Sequence, residues 1–103
     1  MKLLDRFTTK HRFADGATMS VLHRYALRFE RDGWSIDIGF EQALEPGVDR
    51  LVDESSIAEW NGTDGRKPVT SQERADVLAR VKEYCLAKSM TYRVVPAGDA
   101  ATK

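Results

Sequence analysis

The dipeptide Asp32-Gly33 stands between two runs whose apolar residues alternate, "YALRFER" and "WSIDIGF". Both central positions of a type I′ turn need positive φ, and an aspartate followed by a glycine meets that need, so the stretch reads as a β-hairpin. The turn sets the register. Phe29 then faces Ile36, Leu27 faces Ile38 and Tyr25 faces Phe40, which puts all six on one face of a sheet. The other face receives Arg28 against Asp37 and Glu30 against Ser35, a polar surface with one cross-strand ion pair. Turn chemistry and alternation are independent signals, and both select this pairing.

An element to cover the apolar face is read from "TSQERADVLARVKEYCLAK". Thr70 followed by Glu73 matches a capping box, in which the threonine hydroxyl accepts from the Glu73 N–H and the glutamate carboxylate accepts from the Thr70 N–H. Glu73 and Asp76 suit the positive end of the helix dipole. Val77, Leu78, Val81, Tyr84 and Cys85 recur at helical spacing, with Arg74, Asp76, Arg80, Lys82 and Glu83 mostly on the other side. The spacing predicts an amphipathic helix over about 70–88, lying on the sheet. Beyond it, "MTYRVV" reads as a last strand with Tyr92 and Val94 on one face, stopped by Pro96, and 97–103 reads as a frayed tail.

Elsewhere the signals are shorter. Met19 and Val21 continue the odd-numbered apolar positions, so the first strand is expected to begin near Thr18, although Leu22 breaks the pattern. Asp15-Gly16 offers a turn after Phe13. Leu3, Leu4 and Phe7 have helical spacing over a short stretch. "EQALEPGVDR" reads as a loop about Pro46-Gly47, followed by a short strand at 50–53, with Ile57 and Trp60 returning to the core. "NGTDGRKP" has two glycines, Asn, Asp and Pro, so its backbone is expected in turns. The sum is α+β: one domain over 1–96, an antiparallel sheet of three to five strands with one amphipathic C-terminal helix packed on one face.

A chain of 103 residues suits one core without metal or disulfides. Its single cysteine excludes an intrachain disulfide and fits a reducing compartment. The opening "MKLLDRFTTKHRF" has no long apolar run, so neither a signal peptide nor a membrane span is expected, and the cytoplasm is the expected location. The formal net charge of zero argues against a protein devoted to neutralising nucleic-acid phosphates. Charge is nonetheless segregated along the chain. Residues 1–31 and 65–103 are each net basic, while 32–64 holds only Arg50 against Asp32, Asp37, Glu41, Glu45, Asp49, Asp53, Glu54, Glu59 and Asp64. Such an acidic middle is either a solvated face or a surface that steers a basic partner, with Glu41, Glu45, Asp49 and Glu59 as its candidate contacts.

No chemical motif assembles in the sequence. "GTDGRKPVT" has glycine, Lys67 and Thr70 before a helix, but Pro68 removes a donor and the order of a phosphate-binding loop is absent. Asn61-Gly62-Thr63 matches a glycosylation sequon only by chance in a chain with no secretory signal. Cys85 lies in the apolar stripe of the helix, where a cysteine is a small core residue rather than a nucleophile. His11 and His23 lack zinc-ligand spacing, so no metal or cofactor is expected. Asp53, Glu54, Ser55 and Ser56 read as a turn in which a serine caps a short helical segment. Tyr25, Phe29, Trp34, Phe40, Trp60 and Tyr84 fall at expected core positions, without the basic groove of a nucleic-acid binder.

The order of features from Ser56 to Val95 is Ser-Ile, a tryptophan three residues on, a turn, "PVTSQER", an aliphatic helix and a closing strand. It resembles immunity protein family 74 of bacterial polymorphic toxin systems. The resemblance implies a small cytoplasmic protein that neutralises a cognate toxin by binding it, with no catalytic residues and with Trp60, Pro68 and Glu73 as structural positions. It would also give the acidic middle a use, against a basic toxin. A structural or self-associating module and a small enzyme are the competing function classes.

Overall fold

The computed structural model describes residues 10–96. In chain order the elements are β1 (His11–Arg12), β2 (Thr18–His23), β3 (Ala26–Arg31), β4 (Trp34–Gln42), β5 (Arg50–Asp53), a 3-10 turn (Glu54–Ser56), β6 (Glu59–Gly62), β7 (Gly65–Pro68), α1 (Ser71–Ala87) and β8 (Tyr92–Val95). The helical spacing at Leu3, Leu4 and Phe7 and the tail after Pro96 lie outside the described residues.

Asp32 and Gly33 take φ of 53° and 83°, and the register is the one read from the sequence: Leu27 opposite Ile38, Arg28 opposite Asp37, Phe29 opposite Ile36, Glu30 opposite Ser35. One residue departs from it. Tyr25 still accepts the Phe40 N–H through its carbonyl, but its side chain is 53% exposed, because the chain turns at residues 24–25 instead of running on. β2 is therefore a separate strand folded back onto β3, with Met19 against Phe29 and Val21 against Leu27. The register shifts between Val21 and His23, so the break that Leu22 makes in the alternation is a β-bulge.

The sheet has eight strands, in the order β1-β2-β3-β4-β5-β8, with β6 paired to β4 and β7 paired to β6. This corrects the expected antiparallel sheet of three to five strands in number and in direction, since β5 and β8 run parallel. Parallel neighbours need a long crossover, and the 3-10 turn, the β6–β7 hairpin and α1 supply it. The helix is accordingly the penultimate element, with β8 after it. The extra strands are short. "NGTDGRKP" is a hairpin, with Trp60 opposite Lys67 and Asn61 opposite Arg66; four-residue polar strands carry too little alternation to be told from turns in sequence.

Along β4 the chain from β5 to β6 forms an interrupted neighbour. Gly39 pairs with Asp53 and Ser35 with Asn61, and the 3-10 turn lies between. Its cap is Asp53, whose carboxylate accepts from the Ser55 N–H, rather than a serine as expected. Ser56 has another use: its hydroxyl accepts the Gly39 N–H at 2.7 Å and donates to the Asp53 carbonyl, filling a gap in the ladder.

The core lies between one face of the sheet and α1. Leu27, Phe29, Ile36, Ile38, Phe40, Val52, Ile57 and Trp60 meet Val77, Val81, Tyr84 and Cys85. The capping box is formed in both directions, and Glu73 also accepts from Trp60 Nε1 at 3.2 Å. The start of the helix is thereby fixed to β6.

Candidate functional site

The loop at 43–49 joins β4 to β5 and is closed by Ala43 donating to the Asp49 carbonyl at 3.0 Å. Gly47 takes a φ of 80°, which follows from the Pro46-Gly47 pair. Leu44, near the tip, is 97% exposed. Three of the four predicted contact residues surround this loop. Glu41 is exposed on the face of β4 turned away from α1, where it pairs with Leu51. Glu45 reaches Arg93 of β8 at 2.8 Å. Asp49 accepts from the N–H of Thr91 at 2.9 Å and from its hydroxyl at 3.1 Å, and these two donors hold its carboxyl below the usual range. Glu59 is elsewhere, on β6, 3.6 Å from Arg66.

The fold also redistributes the charge that is segregated in sequence. Arg28 pairs with Asp37, Arg66 with Glu59 and Arg93 with Glu45, so cations from both flanking segments are set among the acidic residues of 32–64. Asp49 is tied into the fold by a clasp from β5 to β8, a role its exposure in sequence did not suggest.

On the helix side of β5 a hollow opens, of about 620 Å³, between the β2–β3 turn, the start of β5 and the C-terminal end of α1. Val21, Phe40, Tyr84 and Met90 form its floor, and Arg24, Arg50 and Lys88 stand around it. These residues come from distant parts of the chain and share no local motif. The only trace in the sequence is the failed alternation at Leu22, which marks where β2 leaves the sheet pattern and exposes Val21 to 50%.

The residues weighed for chemistry are dispersed. Cys85 is fully buried, and burial pushes its thiol up to about 11, which suits a core residue and not a nucleophile at neutral pH. His11 lies 3.1 Å from Glu83 and packs edge-on to Phe13. His23 is exposed, and its Nδ1 accepts the Tyr25 N–H. Among the described residues no three or more His, Cys, Asp or Glu gather as a metal site, and no helix is long and apolar enough to cross a membrane. Lys67, in the segment whose order does not match a phosphate loop, lies over the Trp34 ring at 4.3 Å.

No family model matches the chain, and neither a curated protein nor a solved structure is found similar to it. The likeness of Ser56–Val95 to immunity protein family 74 therefore rests on those residues alone.

Proposed function

We propose that this chain is a small non-catalytic binding domain of immunity type, acting by direct contact with a basic partner protein such as a toxin. The observation that supports this reading is Leu44, 97% exposed on a loop closed by the Ala43–Asp49 backbone hydrogen bond, with Glu41, Glu45 and Asp49 around it. A leucine so placed contributes nothing to the core. Entering an apolar pocket of a partner, it would bury nearly its whole side chain, a gain of about 1.5–3 kcal/mol. The surrounding carboxylates would speed encounter with a basic surface and fix its orientation.

The contact set is narrower than the acidic middle as a whole. Glu41 and Glu45 belong to it with Leu44. Asp49 belongs to the architecture of the loop, and Glu59 lies outside it. The experiment is a titration with the purified products of the genes flanking this one, at two ionic strengths. Leu44→Asp should slow nothing in folding yet weaken the complex at least tenfold, through faster dissociation. Glu41→Lys with Glu45→Lys should slow association and remove its salt dependence. Unaltered binding by both variants would sink the assignment of the loop, and failure of every flanking product to bind would remove the immunity reading itself.

A further inference from the structure

The groove on the helix side combines two properties that point to one class of ligand. Its floor is apolar and aromatic, and Val21 stays 50% exposed there. Among the described residues its rim is cationic and carries no carboxylate: Arg24, Arg50 and Lys88 line it with His23, and no described Asp or Glu does. Two of the three cations are held over the floor, while the Arg24 guanidinium lies 6.0 Å from the ring of its exposed neighbour Tyr25. The Arg50 guanidinium sits 5.2 Å from the centre of the Phe40 ring and donates to the Arg24 carbonyl at 3.4 Å. The Lys88 ammonium lies 5.8 Å from the Tyr84 ring. Asp49, the sequence neighbour of Arg50, spends its carboxylate on Thr91. Arg24, Arg50 and Lys88 thus form no ion pair among the described residues, and the volume of about 620 Å³ falls within the range of small-molecule sites.

We propose that this groove binds a small monocarboxylate with an apolar body, of the size of a medium-chain fatty acid. The body lies on Val21, Phe40, Tyr84 and Met90. The head group takes charge-assisted hydrogen bonds from Arg24 and Arg50, whose planar donors match a carboxylate, with Lys88 as a further point charge. A fully charged phosphate would satisfy the rim and leave the floor in water, and a neutral lipid would leave three cations unpaired. The groove lies on the helix side of the sheet and Glu41 on its opposite face, and no residue of the 43–49 loop lines the groove, so the failure of either proposal leaves the other standing.

The test is a titration of the full chain with decanoate below its micellar range, followed by chemical-shift changes, beside acetate and decanol as head without body and body without head. Saturable one-to-one binding is expected, with the shifts centred on Val21, Phe40, Tyr84 and Met90. Both control molecules should bind at least about tenfold more weakly, decanol for want of the charge-assisted contacts and acetate for want of the buried methylenes. Arg24→Gln and Lys88→Gln, both at the rim, should each weaken decanoate about tenfold and leave the melting temperature within a degree or two. No saturation by decanoate, equal binding of decanol, or parental affinity in both variants would overturn the proposal. A concentration-dependent dimer that Val21→Asp dissociates would do so too, by giving the groove to a second copy of the chain.

Discussion

Gly33 holds a φ of 83° with nothing within 4 Å of where a Cβ would stand, so its role is conformational and not steric. Gly33→Val places a β-branched side chain in that region and should lower stability by about 1–3 kcal/mol, read as a fall in melting temperature. An unchanged melt would mean that the hairpin does not depend on this turn. Trp60 is the opposite case: it is 2% exposed, packs on Phe29 and donates to Glu73. Trp60→Ala should remove about 3–5 kcal/mol in a denaturant titration, and a variant as stable as the parent would instead make the indole dispensable to the core. At this scale the sequence was readable wherever a residue answers to its own backbone, as at Asp32-Gly33 or Thr70 and Glu73. Gly62 was not readable. A Cβ there would stand 2.8 Å from the Trp34 ring, a constraint imposed by a residue far along the chain.

Between elements, the ties are carboxylates whose pKa is held down by a specific donor. Arg80 donates twice to Asp15 and fastens the turn before β2 to α1. The Thr91 N–H serves Asp49 and fastens β5 to the start of β8. The Thr70 N–H serves Glu73 at the head of α1, and Lys10 serves Glu30. In each case the folded pKa is below the unfolded one, so the contribution is complete above the unfolded value and is lost as pH falls through the folded value. The melting temperature should therefore be level from pH 7 to about 5 and fall steeply below about 4. Because the groups are largely exposed, each contribution is modest and screened by salt. Asp49→Asn should make the acid limb shallower, and a melt indifferent to pH down to 2 would contradict the role given to these ties. The long elements, β3, β4 and α1, were legible because alternation or helical spacing runs far enough to be seen. The short β1, β6 and β7 were not, and the parallel partnership of β5 with β8 is decided by where α1 delivers the chain.

For the molecule as a whole, charge along the chain and charge on the surface are different distributions. The sequence separates a basic start and end from an acidic middle, while the fold returns Arg28, Arg66 and Arg93 to Asp37, Glu59 and Glu45. Of the four predicted contact residues, this leaves Glu41 and Glu45 beside an exposed leucine, Asp49 as a clasp and Glu59 apart. The groove beside β5 was invisible in sequence because its floor and rim are gathered from the end of β2, from β4 and β5, and from the end of α1. The proposed partner site is the 43–49 loop. Hydrogen–deuterium exchange of the chain with and without a flanking gene product that binds it tests this most directly. Protection should appear in the amides of residues 43–48, with little change in the β6–β7 hairpin around Glu59. Protection confined to that hairpin or to the groove, with the loop exchanging as in the free chain, would contradict the account.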